Sequence, residues 1–243
     1  MRNIWTIAKR EYKLYFSTPI AYMVAFIFML ILGFIFYVNL AAAMTQGFAP
    51  GVDMLTGIMV TLLLFSTPAL TMRLLAEEQR MGTIELLLTA PVRDYELVVG
   101  KWLGGWMFLL SIIAVTMIFP IVLNFMVQPG IDQGPLVTNY LGLMLISAAL
   151  VAIGVAISAL FSNQIAAFFT TLGVLLVLWL ISLPAQAVGA SGGTLLSYLD
   201  LSEHFYSTLY VGVIDVKDVV YYLSLTVLAL FIGSVVVETR RWR

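Results

Sequence analysis

The residues able to do chemistry in this chain are concentrated in one internal stretch. Nine of its 25 Lys, Arg, Asp and Glu residues lie between Arg73 and Lys101, in RLLAEEQRMGTIELLLTAPVRDYELVVGK. Outside it the means for reaction chemistry are sparse. His204 is the only histidine and there is no cysteine, so a two-histidine metal cage, an H-E-x-x-H zinc site and thiolate chemistry are excluded. Gly100–Lys101 shares two residues with a phosphate-binding loop. Tyr95, however, stands where that loop needs its first glycine, and Trp102 stands where Ser or Thr would hold magnesium. The chain does not bind ATP in that way and must borrow energy if it uses any. Glu203–His204 sets an acid beside an imidazole, but with no partners for a nucleophile these read as interfacial residues rather than a catalytic pair.

The elements that must position the charged stretch are membrane spans. The 243 residues are 62% hydrophobic and 10% charged, against about 25% charged in soluble domains. Mean hydropathy is +1.03. A helical span needs roughly 20 apolar residues. Six segments qualify, at about 20–43, 54–75, 97–127, 139–161, 165–188 and 219–237, giving an all-α integral membrane fold in one domain, 1–243. Residues 1–19 are too polar to insert and predict an amphipathic helix on the membrane surface, with Ile4, Trp5, Ala8, Tyr12, Tyr15 and Phe16 on one face and Arg2, Lys9 and Lys13 on the other. A cleaved signal sequence is the competing reading, because Ala41–Ala43 resembles a cleavage site. The apolar run 20–43 is longer than the roughly 7–15 residues of a signal's apolar region.

Orientation follows from Lys and Arg. With both termini on one side, that side holds Arg2, Lys9, Arg10, Lys13, Arg73, Arg80, Arg93, Lys101, Arg240, Arg241 and Arg243, and the other holds only Lys217. Positive residues accumulate on the cytoplasmic side, so both termini and the Arg73–Lys101 stretch are expected there, in a cell inner or plasma membrane. The net charge of −1 argues against nucleic acid as a partner. No ionisable residue stands near the middle of a span, which argues against a proton path. The small residues Ala148, Ala152, Ala156, Gly154 and Ser158, and the Gly100-x-x-x-Gly104 pair, predict close helix packing within the subunit in preference to an oligomer interface.

Within the charged stretch, span two should continue as helix through Glu77 and Glu78 to Arg80 and stop at Gly82. Thr83 can cap a short helix with Glu85 in its first turn and Ile84, Leu86 and Leu87 as its apolar content, ending before Pro91. Asp94 can cap the next helix, which becomes span three through Lys101. The apolar tip of this elbow either rests on lipid headgroups or docks in a groove of a soluble partner.

The string EEQRMGTIELLLTAPVRDYELVVGKW resembles the signature of the ABC-2 family of ABC transporter permeases, and the six-span plan fits that family across the chain. GTIELLLTAP and the length look most like the small permeases of the gliding-motility and nitrous-oxide-reductase-maturation type. The resemblance implies a non-catalytic permease that pairs with a second permease, identical or related, and binds an ABC ATPase subunit from the cytoplasm. Mg-ATP would sit in that partner, with no cofactor in this chain. The residues implied for ATPase coupling are Glu77, Glu78, Gly82, Thr83, Ile84, Glu85, Leu86, Leu87, Pro91 and Lys101. Residues 189–218 would form a re-entrant or capping segment on the outer face. The function implied is ATP-driven movement of a substrate, in the direction of export. The alternative is a membrane anchor or mechanical transmitter that transports nothing and acts on an extracytoplasmic accessory protein through the acidic segments around Asp200–Asp218.

Overall fold

The computed structural model describes residues 2–46, 51–82, 93–128, 130–183 and 196–241, and every regular element among them is helical. The order is α1 (Arg2–Phe16), α2 (Pro19–Gln46), α3 (Asp53–Thr71), α4 (Ala76–Arg80), α5 (Asp94–Thr116), α6 (Ile118–Met126), α7 (Gln133–Leu160), α8 (Gln164–Leu180), α9 (Glu203–Tyr206), a 3-10 turn (Leu209–Val211) and α10 (Val216–Arg241). Five stretches are long and apolar enough to cross a membrane, 21–46, 53–80, 94–126, 133–160 and 216–239. The expected fifth span, 165–188, is represented by the shorter apolar α8, and its last residues, from 184, lie outside the described residues.

α7 is the axis of the bundle. Nearly every residue from Thr138 to Ala159 is buried, including the small ones expected to admit neighbours. A Cβ on Gly154 would lie 2.7 Å from Thr71 Cβ, so α3 crosses there in near backbone contact. Gly233 lets α10 approach Ala156 in the same way, at 3.3 Å. The helix begins at Gln133 rather than Asn139, because the Asp132 carboxylate accepts from the Gly134 N–H at 2.9 Å and caps it earlier than hydropathy suggests. The tight connection to α8 is closed by Asn163, whose side chain accepts from the Ile165 N–H.

Two of the expected spans are divided, the third span in the region where its internal proline, Pro120, predicts an interruption. The long third span divides at Met117. Pro120 has no N–H to give the Thr116 carbonyl, and α5 ends at that residue. Span two does not run unbroken to Arg80. It stops at Thr71 and resumes as α4 after four residues of turn. The Ser158 hydroxyl fills that gap, accepting from the Leu75 and Ala76 N–H groups and donating to the Met72 carbonyl, each at 3.1 Å. Backbone groups orphaned by the break are thereby satisfied.

At the opposite end, residues 196–212 cap α3, α7, α8 and α10. The Phe205 ring lies against Gly142, where a Cβ would come within 2.8 Å of it. The Tyr206 hydroxyl donates to the Gly57 carbonyl at 2.9 Å, and Tyr222 donates to the Leu201 carbonyl at 2.8 Å.

Candidate functional site

α1, α4 and α5 converge on one ammonium group. Lys101, in the second turn of α5, is 1% exposed, yet its Nζ lies 2.8 Å from Glu78 Oε1 on α4 and 3.0 Å from Glu11 Oε1 on α1. Glu11 is 7% exposed. One cation thus joins three elements that are remote in sequence. A buried charge is tolerated only when paired and hydrogen-bonded, and here each carboxylate has the same ammonium as its partner.

Glycine makes the approach possible. A Cβ on Gly100 would stand 2.8 Å from Ile7 Cβ and 3.1 Å from the Ile4 carbonyl oxygen. On Gly104 it would stand 2.6 Å from Glu11 Cβ and 2.9 Å from the Ala8 carbonyl oxygen. The G-x-x-x-G pair is therefore the seat of α1, packing within the subunit as expected. The seam is extended by Tyr12 and Ser111, whose hydroxyls meet at 2.9 Å, and by Asn3, whose amide donates to Glu96 at 3.1 Å. Tyr15 stacks on Phe108 with ring centroids 4.8 Å apart and donates to the Leu70 carbonyl. Burial pushes the Tyr15 phenol well above its ordinary value, an effect partly offset by Arg73.

The elbow is also fastened to the axis. Beyond the Ser158 bonds, Gln79 of α4 donates its amide to the Ala159 carbonyl at 2.7 Å. Trp102 and Trp106 of α5 donate to the Ala148 carbonyl and to Ser147 Oγ on α7, at 2.9 and 3.2 Å. α4 is therefore bonded to α5 and α1 through Lys101, and to α7 through Ser158 and Gln79.

Of the residues expected to carry coupling, Glu78 and Lys101 are brought together. Glu77 is exposed and lines the same cleft as they do. Gly82 ends the helical path after α4 with φ +68°, the left-handed conformation for which glycine is suited. Thr83, Ile84, Glu85, Leu86, Leu87 and Pro91 lie outside the described residues. Asp94 is not the cap of α5. Arg93 occupies that position, and Glu96 in the first turn reaches back to accept from the Arg93 N–H at 3.1 Å.

Glu11 was missed. The helix buries Ala8, Glu11 and Tyr15 against α5 and leaves Trp5 and Phe16 exposed. The signal was present: Ile4, Ala8, Glu11 and Tyr15 follow a four–three–four spacing, so the acid lies on an apolar stripe. His204, weighed as an acid–base residue, is buried. Its Nδ1 lies 2.6 Å from Asp218, its Nε2 lies 2.9 Å from the Tyr198 carbonyl, and its ring stacks on Tyr221 at 3.9 Å. It works as a strut between the cap and α10.

Comparison with known proteins gives one family. The model described as ABC-2 family transporter protein matches residues 45–198, more than half of the chain, and takes in α3 through α8 with the charged stretch between them. No curated protein matches the chain.

Proposed function

The chain belongs to the ABC-2 family of transporter proteins, and from that membership we propose that it is a permease driven by a separate ATPase subunit, which docks against residues 83–92. Membership makes it the permease component of an ABC transporter, a multi-pass membrane protein of a generally non-catalytic kind. The drive is assigned from one observation, the three-element joint at Lys101, which lies at the base of the segment 83–92.

That segment is attached through Gly82 to α4 and through Arg93 to α5, and Lys101 ties the two ends together and to α1. A push on the segment would therefore move α1, α4 and α5 as one unit against the α7 axis. In this reading the ATPase supplies the push when its ATP-bound halves close, and a second permease, identical or related, supplies the facing wall of the pathway. Eleven of the twelve basic residues belong to this end of the bundle or its termini, which supports its assignment to the cytoplasm.

Co-purification with an ATPase bearing G-x-x-x-x-G-K-[ST], followed by reconstitution in lipid vesicles, tests the assignment. ATP turnover should rise severalfold over that of the ATPase alone. Turnover indifferent to the presence of the chain would overturn the reading.

A further inference from the structure

The cleft beside the Lys101 joint has two cations outside its ion pairs, of which Arg10 adds only a weaker attraction to Glu78. It encloses about 270 Å³ between α1, α4, α5 and the turn joining α3 to α4. Lys101 is taken up by Glu11 and Glu78, but Arg10 and Arg73 on the same walls form no ion pair with any described residue. Arg73 is held in place from below, its guanidinium carbon 4.6 Å from the centroid of the Tyr15 ring. Arg10 and Leu14 are shared with an adjoining depression that adds Lys9 and Lys13 and has no acid among its described lining residues. The remaining acid of the cleft, Glu77, is exposed and forms no ion pair with either arginine.

The apolar residues say where this cleft lies, whose described lining balances Arg10, Arg73 and Lys101 against Glu11, Glu77 and Glu78 and whose excess of positive charge comes from Lys9 and Lys13 of the adjoining depression. Leu14 and Leu74 are in its wall, and Thr18 sits at its edge next to Pro19, where the apolar α2 begins. Trp5 and Phe16 of α1 are 54% and 42% exposed nearby. The pocket therefore straddles the level at which the chain passes from polar to apolar surroundings. A ligand suited to it has a phosphate for two guanidinium groups, which match phosphate oxygens in fork geometry, and hydrocarbon to lie against the leucines.

We propose that the Arg10–Arg73 cleft binds the headgroup of an anionic phospholipid. Such a lipid would brace α1 beside the Lys101 joint and make that joint sensitive to leaflet composition. An acidic surface of a soluble partner could also meet two arginines, but it would bring nothing for Leu14, Leu74 and the start of α2.

The test uses the purified full chain in detergent, offered phosphatidylglycerol and phosphatidylcholine with identical tails and read by native mass spectrometry. Phosphatidylglycerol should be retained in preference. Each basic side chain near an anionic lipid contributes on the order of a severalfold change in binding, so R10Q/R73Q should reduce that preference about tenfold. R10Q alone, at an exposed position on α1, should reduce it by a smaller factor and guards against a folding defect at Arg73, while Lys217→Gln at the far end should leave it unchanged. Equal retention of the two lipids, or a preference that survives R10Q/R73Q, contradicts the proposal. So does complete displacement of the lipid by millimolar inorganic phosphate, which would make the site one for free phosphate. Loss of ATPase binding in R10Q/R73Q with lipid preference intact would give the arginines to the partner instead.

Discussion

Replacing Lys101 with Met is expected to lower the thermal midpoint of the purified chain by about 10 °C and to abolish the stimulated ATP turnover of its complex. The stability loss follows from what remains. Glu11 and Glu78 would stay in their buried positions without the ammonium that holds both, at 3.0 and 2.8 Å. Removing one partner of a buried ion pair costs about 3–5 kcal/mol, because the other charge is left uncompensated. For a chain of this size each kcal/mol moves the midpoint by roughly 2–4 °C. The accompanying change Glu11→Gln, Glu78→Gln should recover much of the lost stability, since neutral amides can be buried at lower cost, but not the turnover, since α1, α4 and α5 would no longer be clamped. Differential scanning of the three proteins separates these effects. A Lys101→Met midpoint within about 2 °C of the parent would show that the triad carries no strain-bearing load.

Gly104→Leu is expected to release α1 from the bundle. The added Cβ alone would sit 2.6 Å from Glu11 Cβ and 2.9 Å from the Ala8 carbonyl oxygen, the second of which is backbone and cannot swing aside. α1 must therefore move away, taking Glu11 from Lys101 and Tyr12 from Ser111. Overpacking of this kind costs about 1–3 kcal/mol, so amides of residues 2–16 should exchange with solvent roughly tenfold to a hundredfold faster. Those of α7 should keep their protection, because its contacts with α3 and α10 lie on other residues. Unchanged protection in α1 would mean that the glycine pair does not seat it.

Much of this arrangement was legible in the residues themselves. Apolar length alone located the long helices, because a span has little freedom in composition. Gly82 and Pro120 marked a helix end and a helix break through backbone chemistry that acts locally. The small residues of α7 and the Gly100–Gly104 pair forecast close approach, since a missing side chain can be read without knowing what fills the space. What stayed hidden depended on partners distant in sequence. Nothing local tells that Ser158 would occupy the gap at 72–75, which is why α3 and α4 read as one helix. Glu11 was passed over because a surface helix is expected to put its charges outward, and only the pairing with Lys101, 90 residues on, accounts for an acid on the buried stripe. Start positions shifted where a polar cap overrode hydropathy, as Asp132 did for α7.

The central claim is that force from an ATPase enters through residues 83–92 and is carried into the bundle by the Lys101 joint. Leu87→Asp tests it most directly, since it places a charge on the segment meant to dock while leaving Glu11, Glu78 and Lys101 intact. Truncating or charging the anchor of such a contact commonly costs about 2 kcal/mol or more. In lipid vesicles containing the chain and its ATPase, this variant should insert and form its permease pair as the parent does, and should lose the ATP turnover that the parent stimulates. Full stimulated turnover by the Leu87→Asp complex would contradict the account.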